Sequence, residues 1–317
     1  MRFILSRKGY DSQFGGNPSP VFKTTGQLLD GFMYSIPVPE RDSKGNSYIY
    51  QELHAPKTPK GFPVNTRFFH LDPDIRPELH QNLPDKWKPI FGQSEAAASH
   101  LKLYIQKGDI FLFFGLFQDA IWNPNRKQWL FGKSRPYHAI WGYMQIDEII
   151  ENIGGSIQKI YSWHPHCQEN YHSDPKRNTL YIGKKKNLTI GGKDLHVKGY
   201  GTFKYSDKLR LTLPDNELKL TLTKASDSGL THWKLNCLPW LDASRKEAHM
   251  SYHNKDSFQL ESQPKFFKAA SRGQEFVTDD FENGSKLWEK ILDWFKDLDL
   301  VTLRTSFPEN QLQENKL

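Results

Sequence analysis

The chain has 317 residues, of which 37% are hydrophobic and 14% aromatic, including nine Trp, so it carries enough bulky apolar material for a sizeable core and is not a disordered chain. A formal net charge of +7 favours polyanionic partners without specifying one, and no stretch approaches the roughly 20 apolar residues of a membrane helix. Cys167 and Cys237 lie in unrelated contexts and form neither a disulfide framework nor a zinc pattern, which makes a reducing cytoplasm the expected setting.

Phe3-Ile4-Leu5 reads as a buried strand, too short for a signal-peptide core. A polar, basic loop follows: Ser6, Arg7, Lys8, Tyr10, Asp11 and Ser12, then Gly15-Gly16 and Pro18-Ser19-Pro20. Glycines permit close ligand approach and prolines stiffen the path, so this loop is either an anion-holding wall or a solvated turn. Ser35-Ile36-Pro37-Val38-Pro39 predicts an extended edge, because two prolines exclude a central strand. Residues 42–62 read as a long loop around a short Tyr48–Tyr50 strand. Ser94 suits the N-cap of a helix that Ala96, Ala97 and Ala98 carry through His100 to about Leu103.

The nearly continuous apolar run Ile110–Phe117 predicts a central strand buried on both faces. Gln128–Phe131 and His138–Ile146 read as further strands, and Asp147 is expected to cap a short helix from Glu148 to Ile153, closed by Gly154-Gly155. Asn178–Ile182 predicts a strand, and Lys184-Lys185-Lys186 a solvated turn. Leu188–Ile190, Tyr200–Tyr205, Leu209–Leu213 and Leu218–Leu222 suggest antiparallel hairpins. From Ser285 to about Lys296, the residues Leu287, Trp288, Ile291, Leu292 and Phe295 form one apolar stripe at helical spacing, a core-packing face.

No P-loop, dinucleotide fingerprint, nucleophile elbow or zinc His-Glu-x-x-His motif is present. His70-Leu71-Asp72 has the His-x-Asp spacing of a facial metal triad, which a distant histidine would complete; His138, His164, His166 and His253 are the candidates. His164 and His166 would share one face of a strand. In the metal alternative His70, Asp72 and His164 are the ligands; the same groups read equally as hydrogen-bonding residues in a metal-free pocket. In that pocket Arg7 and Lys8 hold phosphate, Asp11, Gln93 and Gln274 read polar base edges, and His70, His100, His164 or Glu275 moves protons.

The ordered segments Ser6-Arg7-Lys8-Gly9-Tyr10-Asp11, Gly15-Gly16-x-Pro18-Ser19-Pro20, His70-Leu71-Asp72-Pro73-Asp74, Phe91-Gly92-Gln93, His138-x-Ile140-x-Gly142-Tyr143, His164-Pro165-His166, Ser251-Tyr252-His253 and Gly273-Gln274-Glu275-Phe276-Val277 resemble the nucleotide modification associated domain, third family, over about residues 1–295. The resemblance implies a role tied to nucleotide or DNA-base modification in bacteria or phages, in a phage-defence or mobile-element setting, and carries over no reaction or catalytic set. The candidate ligand-binding residues are Ser6, Arg7, Lys8, Asp11, Gly15, Gly16, Ser19, Asp72, Gln93, His138, His166, His253 and Gln274. Residues 105–153 also look like the barrel core of PUA- and EVE-like modules, in which loops around a small barrel receive an extruded base.

The expectation is one compact α+β domain over 1–300, mostly antiparallel β with a few peripheral helices, followed by a tail at 301–317. A nucleotide or nucleic acid is the expected partner, and a membrane is not. Whether the chain is an enzyme or a non-catalytic reader of a modified base stays open, as do cofactor, substrate and oligomeric state.

Overall fold

The computed structural model describes residues 1–11, 17–23, 31–39, 69–80, 82–123, 128–168, 174–222, 228–271, 275–298 and 300–301. The strands in the first half are β1 (Phe3–Arg7), β2 (Ser19–Phe22), β3 (Val38–Pro39), β4 (Phe69–His70), β5 (Ile90–Ser94), β6 (Ile110–Asn123), β7 (Gln128–Phe131) and β8 (Tyr137–Glu151). The second half adds β9 (Asn178–Gly183), β10 (Asn187–Ile190), β11 (Lys193–Lys198), β12 (Tyr200–Phe203), β13 (His232–Trp233), β14 (Phe258–Gln259), β15 (Phe266–Lys268), β16 (Glu275–Val277) and β17 (Leu300–Val301). Among the described residues, four helices accompany them: α1 (Glu95–Lys102), α2 (Ser156–Ile160), α3 (Asp215–Thr221) and α4 (Lys286–Lys296). The fold is α+β with a large, mostly antiparallel sheet.

The apolar run at Ile110 becomes the centre of that sheet. β6 pairs in parallel with β1 on one side and antiparallel with β8 on the other, and its side chains from Ile110 to Phe117 are buried on both faces. β8 carries two irregularities. Trp141 is the extra residue opposite Phe113 and Phe114, and Asp147 is the extra residue where β8 passes from β6 to β9. Bulges bend a strand and raise its twist, which lets one long strand serve two neighbours.

The resulting path β5-β9-β8-β6-β1-β16 is strongly curled. Phe91 on β5 lies 4.7 Å, centroid to centroid, from Phe111 on β6, although two strands separate them along the path. Phe113 and Tyr181 complete this aromatic interior. Among the described residues no backbone ladder joins β5 to β16. Side chains bridge that seam, with Gln93 Nε2 donating to Glu275 Oε1.

α4 follows its stripe. Ser285 Oγ accepts from the Trp288 amide at 3.1 Å as an N-cap, and Trp288, Ile291, Leu292 and Phe295 are buried. α1 likewise begins after Ser94, with Glu95 in its first turn. Three expectations are corrected. The segment Glu148–Glu151 is strand, because Glu148, Ile149, Ile150 and Glu151 pair with Ile182, Tyr181, Leu180 and Thr179; the helix comes only after Gly154-Gly155. Leu218–Leu222 is not a strand but falls on α3, which Pro214 precedes and which has Asp215 and Glu217 in its first turn. Leu209–Leu213 is not a hairpin strand but forms isolated bridges, Arg210 to Ala139 and Thr212 to Trp233. The Tyr48–Tyr50 segment lies outside the described residues. Among the described residues, no helix is long and apolar enough to cross a membrane.

Candidate functional site

The C-terminal end of β1 opens on a cavity of about 250 Å³ at the seam between β5 and β16. Arg7, Lys8, Gly9, Asp11, Val38, His70, Asp72, Gln93, Ser94 and His166 line it. Five separate segments contribute, and each is held there for a local reason.

β1 delivers the cations. Ser6 is buried, and its hydroxyl donates to Glu275 Oε1 at 3.3 Å. Lys8 Nζ lies 3.7 Å from the same carboxylate oxygen and 4.6 Å above the Phe91 ring. Arg7 Nε lies 3.7 Å from Asp11 Oδ2. Gly9 turns the chain with φ +97°, and a Cβ there would sit 2.6 Å from Ser35 Oγ, so the turn admits little but glycine. Ser19 supports this wall from behind, accepting the Ile36 amide at 3.0 Å.

His70 and Asp72 flank a tight turn in which the Asp72 amide donates to the His70 carbonyl at 2.9 Å. Leu71 between them is buried in a small core with Tyr10, Tyr34, Ile36 and Leu79. That anchor leaves the imidazole and the carboxylate beside the cavity. Asp72 Oδ1 accepts the Gly92 amide at 2.7 Å, and His164 Nε2 lies 3.4 Å from the same oxygen, close enough for electrostatic contact.

His164 and His166 do not lie on a strand. They open a 3-10 turn, Pro165–Cys167, in which the His166 amide donates to His164 Nδ1 at 3.3 Å. His166 packs against β5 so closely that a Cβ on Gly92 would fall 2.4 Å from its Cγ. Its other support is Asn178, whose Nδ2 donates to the His166 carbonyl at 2.9 Å. That bond orients the amide, so Asn178 Oδ1, 2.8 Å from His166 Nδ1, is the acceptor and Nδ1 carries the proton.

Electrostatics follow from this packing. Burial holds His166 neutral, pushing its pKa down to about 3, with His70 and His164 adding to the effect against Asp72 and Asn178. Burial alone would raise Asp72; the contacts with His164 and Lys8 overcome it and hold the carboxyl well below its ordinary range. Burial lifts Glu275 above the usual glutamate value despite Lys8, Ser6 and Gln93. The cavity therefore combines an ionised carboxylate, a neutral imidazole and two cations.

A family model described as nucleotide modification associated domain 3 matches residues 2–279. The chain belongs to that family. No curated protein and no solved structure matches it significantly. In this family member the cavity gathers Arg7, Lys8, Asp11, His70, Asp72, Gln93 and His166, with Ser6, Glu275 and His164 directly behind them. Other candidates stand apart. His138 is buried on β8, edge-on to Phe114 at 5.5 Å. His100 lies on α1 against Tyr104 and Tyr252. His253 has both nitrogens engaged within its own layer: Nδ1 pairs with the Ser251 carbonyl and Nε2 accepts the Ala270 amide. Gly15, Gly16 and Gln274 lie outside the described residues.

The structure adds Gly9, Val38 and Ser94 to the cavity, and Gly92 and Asn178 as its supports. An isolated glycine inside a strand pattern, as Gly92 is, marks close approach of another group and is a legible signal. Asn178 opens a strand like many polar residues and carries none.

Proposed function

We propose that this chain binds a single nucleotide unit in the β1 cavity and acts on it. Arg7 and Lys8 face the phosphate, and Asp11 and Gln93 face the polar edge of the base. The observation carrying this reading is the meeting, in one cavity, of two β1 cations with a carboxylate–imidazole wall drawn from distant segments. At about 250 Å³ the cavity lies near the lower end of ligand sites, which run from roughly 300 Å³, and suits one nucleotide moiety rather than a duplex.

Recognition of a modified base without chemistry is the second reading. It calls for a stacking surface, which among the described lining residues His70, His166 or the Arg7 guanidinium would supply, since no Phe, Tyr or Trp is present there.

The test is calorimetric titration of the full chain with nucleoside 5′-phosphates, normal and base-modified, in the presence of EDTA. Binding of at least one ligand, weakened tenfold or more by Arg7→Ala, is expected. Absence of binding across the panel at millimolar concentration, or indifference to Arg7→Ala, refutes the site. Mass-spectrometric comparison of DNA nucleosides with and without expression separates the two readings: unchanged base composition across hosts, with binding intact, favours the reader.

A further inference from the structure

We propose that His70, Asp72 and His166 hold one divalent first-row transition-metal ion on the wall of the cavity, with Asn178 and His164 as positioning residues. One donor atom from each of the three lies within 4.8 Å of the others, and their rings and carboxylate converge from two separate segments. The His70 and His166 ring centroids are 5.4 Å apart.

The hydrogen bonding prepares the donors. Asn178 Oδ1 accepts the hydrogen bond of His166 Nδ1–H, so in the neutral imidazole Nε2 presents its lone pair. That lone pair faces Asp72 Oδ2 at 3.9 Å. Two acceptors thus confront each other beside a third donor group, His70. Oδ1 of Asp72 is meanwhile held by the Gly92 amide and approached by His164, which leaves Oδ2 for a cation. An outer residue fixing the tautomer of a ligating histidine is the usual support of a metal site.

The donor set selects the ion. Two imidazoles and one carboxylate suit Mn, Fe, Co or Zn, whereas Mg and Ca prefer oxygen alone. Donors about 2.1 Å from an ion lie roughly 3.0–3.5 Å from one another, so binding draws the three together by about 1 Å. His70, half-buried at the cavity edge, supplies that movement. Three protein ligands leave the remaining positions directed at the cavity that Arg7 and Lys8 also line. The ion site stands without the nucleotide reading.

The experiment uses the full chain, stripped with chelator and dialysed, with no nucleotide present. Titration with Co²⁺ is followed by its d–d absorption. One equivalent is expected to bind, to be displaced by Zn²⁺, and to be lost at least 100-fold in His70→Ala. Asn178→Ala is expected to weaken it 10–100-fold. His196→Ala, at an exposed surface position, leaves it unchanged. Side-chain ¹⁵N spectra of the wild-type histidines need no variant: two imidazoles shift on adding one equivalent of Zn²⁺. Absence of a saturable Co²⁺ band, its persistence in His70→Ala, or Zn²⁺ shifts confined to surface histidines overturns the proposal. Because the nucleotide titration is run in EDTA and this one without nucleotide, each can fail alone.

Discussion

Replacing Gly92 with alanine tests the architecture of the site at its tightest point. An added Cβ would lie 2.4 Å from Cγ, 2.5 Å from Cδ2 and 2.8 Å from Nδ1 of His166. Ordinary carbon contacts begin near 3.5 Å, so the imidazole must retreat by about 1 Å. The bond from His166 Nδ1 to Asn178 Oδ1 is 2.8 Å long, and a retreat of that size is enough to break it. Overpacking costs about 1–3 kcal/mol, and a buried polar group left without its partner costs about another 1–3 kcal/mol. Partial relaxation places the expected loss at roughly 2–4 kcal/mol in urea denaturation, with an unchanged slope. The same displacement takes His166 away from Asp72, so Co²⁺ binding falls with it. A Gly92→Ala protein within about 0.5 kcal/mol of wild type, and with an intact Co²⁺ spectrum, would refute the packing argument, since ordinary surface changes fall within that range.

Three further outcomes are expected. Trp240 is fully buried and stacks on Phe3 at 5.3 Å, so Trp240→Ala should cost about 3–5 kcal/mol in chemical denaturation. Ser285→Ala removes the N-cap of α4 and should cost about 1 kcal/mol by the same assay, with most of the loss recovered in Ser285→Asp. His138 is held down to about 3 by burial, with the Arg7 charge adding to it, while in the unfolded chain it titrates near its ordinary 6.5. The unfolded state therefore takes up the proton first, and stability present above pH 6.5 is lost as pH falls toward 3. By pH 4.5 that loss amounts to roughly 2–3 kcal/mol, and His138→Phe should flatten this limb of the stability–pH curve whatever it costs at neutrality.

Strong periodic signals were legible. The α4 stripe, the Ser94 start of α1 and the doubly buried run at Ile110 are each decided by side chains within one segment. Local signals failed where tertiary pairing overrode them. Asp147 looks like a helix cap, yet β9 offers Glu148–Glu151 a ladder and the aspartate becomes a bulge. The site was legible in part for the same reason. The Ser6–Asp11 loop, His70, Asp72 and His166 advertise themselves by composition, and their convergence is a property of the fold. His164 and His166 illustrate the limit: i and i+2 spacing suggests equivalent roles on a strand, but the 3-10 turn sends one behind Asp72 and the other to the cavity. His138 and His253 resemble site residues in sequence, and only the packing around them shows that they stand apart.

The position of the cavity has a physical origin in the curled sheet. Where β5 and β16 approach without a backbone ladder, the seam must be joined by side chains, and buried polar side chains must find partners. Ser6, Lys8 and Gln93 all converge on Glu275 for that purpose. Because burial raises the Glu275 pKa, its carboxyl offsets the Lys8 charge less completely than an exposed glutamate would. The β1 side of the cavity thus keeps positive character next to Phe91, while Asp72 stays ionised in the same cavity. Cations and a carboxylate with imidazole donors in one cavity suit the proposed ligand, whose anionic end would meet Arg7 and Lys8 and whose remaining oxygen or nitrogen atoms would meet the proposed ion at Asp72. Among the described residues, the seam that the fold leaves unpaired in backbone terms is where cations and a carboxylate come to share one cavity, and that combination is what a site for a phosphate-bearing ligand and a metal ion requires.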